Sequence, residues 1–122
     1  MIRKIQEDII MAETKEKYEE LIQAFKMTWD SFPGAARLID KGNVTIAVNR
    51  FASEHGLEPG QICAKIGTPE SHRGCMKSIA LKEKTAKIDR PAEGKIRGWL
   101  PIEDYPDVVV HFSVGIPDVN EK

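Results

Sequence analysis

The chain has 122 residues, 41% of them hydrophobic and 30% charged, with a net charge of −1. This is enough for one domain with one core and too little for two. The near-neutral balance without a Lys/Arg run argues against a nucleic-acid surface. No apolar run approaches the ~20 residues of a membrane span, and charges recurring from Arg3 to Glu20 interrupt any signal-peptide centre. A cytoplasmic protein is expected, with no nucleic-acid and no membrane partner. Its two cysteines, Cys63 and Cys75, are then expected as reduced thiols.

Residues 1–31 lack Gly and Pro and are rich in Glu, Lys, Ile and Ala. They predict one long helix, or two with a bend. Ile2, Ile5, Ile9 and Ala12 keep a three-four spacing, and a second stripe runs through Met11, Tyr18, Leu21, Phe25 and Phe32, flanked by Ile22 and Trp29. The stripes fall out of phase between Ala12 and Tyr18, so no single straight seam runs the whole length. Such a helix either packs on its own domain or carries apolar residues to a second copy. A homodimer through residues 1–33 is expected, because a small domain has little surface on which to hide so long a stripe.

Phe32-Pro33-Gly34 breaks the helix and opens the second unit, residues 34–122. Residues 35–40 predict a strand, Lys41-Gly42-Asn43 a tight turn centred on Gly, and residues 44–48 the returning strand. In that strand Val44, Ile46 and Val48 alternate with Thr45 and Ala47. Asn49 caps a short helix that Gly56 ends, Pro59-Gly60 turns the chain, and residues 61–66 predict a second short helix. Thr68, Pro69 and Glu70 signal the start of a third helix running to about Lys84. His72, Cys75, Met76, Ile79 and Ala80 fall on one of its faces, with Arg73, Lys77, Lys82 and Lys84 mostly elsewhere. Three strands follow, at residues 85–90, 95–102 and 108–116, with turns at 91–94 and 103–107. In the last of them Val108, Val110, Phe112 and Val114 alternate with Val109, His111, Ser113 and Gly115.

The order strand, Asn49, short helix, Gly56, Pro59-Gly60, short helix resembles the start of a PAS domain. The ending, Gly115-Ile116-Pro117-Asp118-Val119-Asn120-Glu121-Lys122, is similar to that family's closing motif, with Val119 and Asn120 as departures. The resemblance covers residues 37–122. It implies an α+β fold: a five-stranded antiparallel sheet with short helices and one long helix over one face, preceded here by the long N-terminal helix. It also implies a sensory, non-enzymatic role in which a small ligand or cofactor lies between sheet and helices and signalling passes through a helix-mediated dimer. No kinase, cyclase or DNA-binding segment is read in the sequence. Output is expected through the N-terminal helix or a signalling partner protein, unless the chain is a fragment.

The ligand-lining candidates are Ile46, Val48, Phe51, Ile62, Cys63, Ile66, His72, Cys75, Met76, Ile79, Trp99, Val110 and Phe112. Imidazole and thiolate also make His72, Cys75 and Cys63 candidate ligands for a metal or haem iron, since His72 and Cys75 are three apart on the expected helix. Against this, structural zinc takes four ligands and no Cys-x-x-Cys pair occurs. A Cys63–Cys75 disulfide is a further option. Three functions therefore remain open: a ligand-binding sensor, a dimerisation module with a filled core, and a haem- or metal-dependent redox or gas sensor. An enzyme is not expected, because no phosphate loop, no Gly-x-Gly-x-x-Gly and no oriented nucleophile is present.

Overall fold

The computed structural model describes residues 16–62 and 75–115. The first helix, α1, spans Glu19–Trp29. Tyr18, Leu21 and Phe25 are buried along one stripe, as their three-four spacing requires, and Glu19 and Glu20 complement the positive end of the helix dipole. The part of the expected helix in residues 1–15 lies outside the described residues.

The sheet has five antiparallel strands: β1 (Ala35–Asp40), β2 (Thr45–Val48), β3 (Lys87–Asp89), β4 (Lys95–Ile102) and β5 (Tyr105–Gly115), in the order β2-β1-β5-β4-β3. The two hairpins, β1–β2 and β4–β5, are joined by long pairing of β1 with β5, from Ala35↔Ser113 to Asp40↔Val108. Gly34 allows this junction to close, because a Cβ there would collide with the Ser113 carbonyl oxygen.

Each sheet face has its own cover. Ala36 and Leu38 of β1, Ala47 of β2, and Val108 and Val110 of β5 pack with Tyr18, Leu21 and Phe25 of α1. Trp29 extends this layer by stacking on Phe112, with centroids 5.9 Å apart. On the opposite face lie α2 (Arg50–Glu54), which packs near β1, and α3 (Lys77–Glu83), which packs on β4 and β5.

Several expectations need correction. The turn after β1 takes its left-handed residue at Asn43 (φ 70°), with the Asp40 carboxylate accepting from the Gly42 and Val44 amides, so Gly42 is not its strained point. Ile62 forms a bridge with Val44 where a helix was expected to have begun. The long helix is described only from Lys77; Cys75 precedes it and Met76 is its N-cap. Gly74 sits immediately before this segment in sequence, and Gly is a poor helix former. The turn between β4 and β5 is only Glu103-Asp104: Ile102 pairs with Tyr105, and a register shift beside Pro101 accommodates Pro106 and Asp107 within β5.

Candidate functional site

Asn49 fixes the frame of the site. It is fully buried, and its Oδ1 accepts from the amides of Ala52 (2.9 Å) and Ala36 (3.1 Å). Its Nδ2 donates to the carbonyls of Trp29 (3.0 Å) and Gly34 (2.9 Å). One side chain thus caps α2 and ties it to the end of α1 and the start of β1.

The sheet face opposite α1 is where chemistry-bearing side chains gather. Strand alternation and register place Arg37 and Ile39 of β1 there, beside Val48 and Thr45 of β2 on one side and His111 and Val109 of β5 on the other. Trp99 pairs with His111, and Arg97 and Asp89 follow outward along β4 and β3. Near β2 Ile39, Val48, Val109 and Ala80 of α3 are buried, with Arg37 the cross-strand partner of Val48. Thr45 is 0% exposed, and its Oγ1 has no hydrogen-bond partner among the described residues. Near β4 the face is aromatic and charged.

His111 and Trp99 stack with centroids 5.0 Å apart and planes 11° apart. The His111 Nδ1 lies 2.9 Å from the Gly98 carbonyl, so in the neutral ring this nitrogen carries the proton and Nε2 the lone pair. Burial pushes the His111 pKa down to about 4; the Gly98 carbonyl pulls upward, while the positive charges of Arg37 and Arg97 lower it further. The imidazole is therefore neutral near pH 7. Arg97 forms a forked pair with Asp89, Nε to Oδ1 at 2.7 Å and Nη2 to Oδ2 at 3.0 Å, and lies 5.2 Å over the Trp99 ring. The Asp89 hydrogen bond raises the Arg97 pKa against the opposing effect of burial, and Cys75 is close enough to act on the same guanidinium.

The lining expected from sequence divides between the two faces. Val48 and Trp99 lie on the face opposite α1. Ile46, Val110 and Phe112 lie on the α1 face: Ile46 and Val110 belong to its core, and Phe112 packs on Trp29 and Phe32. They cannot line a space shared with Trp99. The cause for Ile46 is a bulge at Leu38/Ile39, which puts Ile46 and Ala47 on one face and Thr45 and Val48 on the other, breaking the simple alternation. Phe51 is half-buried and stacks on His55 at 4.2 Å. Ile62 and Met76 are half-buried, whereas Ile79 is 43% exposed and points outward. Cys63, Ile66 and His72 lie outside the described residues. Cys75 is exposed and not helical, so the helical spacing that joined it to His72 does not hold at its end. No group of three metal-ligating side chains occurs among the described residues.

Thr45, Arg37 and Arg97 escaped the sequence reading. Strict alternation in β5 does separate His111 from Val110 and Phe112, and that signal was available. Placing Arg37 and Arg97 beside His111 requires the strand order.

No family model matches the chain, and no curated protein matches it. Among solved structures, a sensory box sensor histidine kinase from Vibrio cholerae matches with a TM-score of 0.58 at 17% identity, over 90% of this chain and 95% of that one. The fold is PAS-like. No described helix is long and apolar enough to cross a membrane.

Proposed function

We propose that the chain is a PAS-like sensory module that holds a small ligand against the sheet face opposite α1. The supporting observation is the make-up of that face. A buried threonine hydroxyl with no hydrogen-bond partner among the described residues, a half-buried neutral imidazole and a forked Arg–Asp pair share this face with α2 and α3, where a purely structural core would be filled with aliphatic side chains. The sheet links this face to α1, whose core residues alternate with the site residues along β1 and β5. Ligand occupancy shifts the packing of α1, and a second copy reads that shift through the α1 side, where Met27 and Ile88 are exposed. The sensory description of the Vibrio cholerae protein supports the same role.

The test is native mass against denatured mass. A dimer carrying an organic adduct that denaturation releases is expected. A bare monomer overturns both the ligand and the dimer. A bare dimer favours a dimerisation module.

A further inference from the structure

We infer that α2 and the last turn of α1 form one cooperative unit, joined by Asp30 and Asn49, which carries a displacement of α2 to α1 round the end of the sheet, beside the path across it. As a regulatory link the unit rests on the proposal that α1 responds to this face. As a coupling between two helices it stands by itself.

The two helices cap each other. Asn49 is the N-cap of α2, yet its Nδ2 donates to the Trp29 carbonyl at the C-terminal end of α1, at 3.0 Å. Asp30 is the C-cap of α1, yet its Oδ1 accepts from the amide of Arg50, the first residue of α2, at 3.0 Å. The carbonyls that end a helix and the amides that begin one have no partner within it. Here the end of each helix takes that partner from the cap of the other. Lys26, one turn back on α1, adds a bond from its ammonium to the Val48 carbonyl at 3.4 Å. Three successive residues at the β2–α2 junction are thus held by Lys26, Trp29 and Asp30, which share one helix face by their spacing.

The helices cover opposite faces of the sheet, so these bonds pass round its end. With five residues, α2 is far too short to hold its own shape, and its order depends on what anchors it. Its first turn is anchored on Asn49 and Asp30. A shift of α2 therefore loads the last turn of α1, and a shift of α1 loads α2, because a coupling between two elements acts equally in both directions.

The experiment is residue-resolved amide exchange by NMR on the full chain, run as a double-mutant cycle of Asp30→Ala with Gly56→Ala. Gly56 follows α2 at φ 90°, and a Cβ there meets nothing within 4 Å, so Gly56→Ala strains the far end of α2 without a clash. Expected is a loss of protection by about fivefold at Ser53 and Leu57, with a parallel loss at Thr28 and Trp29 of α1 and none in β4 and β5. In the Asp30→Ala background the response of Thr28 and Trp29 to Gly56→Ala should fall away. Asp30→Ala alone should loosen Arg50 and Ala52, whereas Asp30→Asn, which keeps an acceptor oxygen, should behave as wild type. A loosened α2 beside an unmoved α1 overturns the inference, because the helices then open separately. A response of α1 that survives Asp30→Ala in full also overturns it, by placing the coupling across the sheet. Unchanged protection of α2 in both single variants overturns it too, because α2 then draws its order from elsewhere. No outcome depends on an adduct, so a bare protein by native mass removes the ligand proposal alone.

Discussion

His111 lies flat against Trp99, 5.0 Å between ring centres, with its Nδ1 2.9 Å from the Gly98 carbonyl. Folding therefore takes up a neutral imidazole, and the unfolded chain takes up a proton more readily. The folded pKa of about 4 lies below the ordinary 6.5, so stability from this residue is complete above about pH 6.5 and is lost as pH falls toward 4. Between pH 7 and pH 5 the loss should be about 2 kcal/mol. Urea midpoints at the two pH values measure it. In His111→Gln, which cannot titrate, the drop should shrink to what the carboxylates contribute. An equal drop in both proteins would show that His111 titrates in the fold as it does in the unfolded chain.

Asn49 gives a prediction that separates capping from cross-linking. Asp is as good an N-cap as Asn. If Asn49 only capped α2, Asn49→Asp would be nearly neutral. Its Nδ2, however, also serves the carbonyls of Trp29 and Gly34. An Asp there turns a carboxylate oxygen on two buried carbonyls. Asn49→Asp should therefore lose about 3 kcal/mol or more, close to Asn49→Ala, by urea unfolding at pH 7.

Gly34 and Gly42 make a matched pair. An added Cβ at Gly34 meets the backbone carbonyl of Ser113 and comes within 3.1 Å of the Phe32 ring, so the β1–β5 junction must move. At Gly42 the nearest atom is an Asp40 carboxylate oxygen at 3.4 Å, an ordinary contact. Gly34→Ala should cost about 1–3 kcal/mol, and Gly42→Ala should stay within about 0.5 kcal/mol. Thermal unfolding of the two variants side by side checks the contrast.

These residues also show what a sequence discloses. Asn49 was readable as a cap, because a cap acts on amides two or three positions away. Gly56 was readable as a helix end and takes φ 90°. The order of the five strands was readable for the same reason, as a succession of local signals. The long-range bonds of Asn49 to Ala36, Trp29 and Gly34 were not. Nor was the bulge at Leu38/Ile39, which reverses the sides of Thr45 and Ile46 without any Gly or Pro to mark it. The site was assigned by helical spacing around Cys75 and by apolarity, so Phe112 and Val110 were included and Thr45 left out. Sheet pairing, a non-local property, decides both.

Lys77 carries this point to its last test. A lysine on a helix ordinarily predicts a wet face, yet this one is 6% exposed. Its ammonium donates to the Asp40 carbonyl at 2.8 Å and to Asn43, pinning the start of α3 to the β1–β2 turn. Lys77→Met keeps the length of the stem and removes the charge, so packing is largely conserved while the oxygens of Asp40 and Asn43 lose their donor. The variant should be less stable by about 1–3 kcal/mol. Amide exchange should quicken at Gly42 and Val44, whose protons depend on the Asp40 carboxylate holding the turn in shape. Faster exchange there, with β4 and β5 unchanged, would identify Lys77 as the local clasp between α3 and the Thr45 side of the sheet. Unchanged stability and exchange would mean that apolar packing alone seats α3.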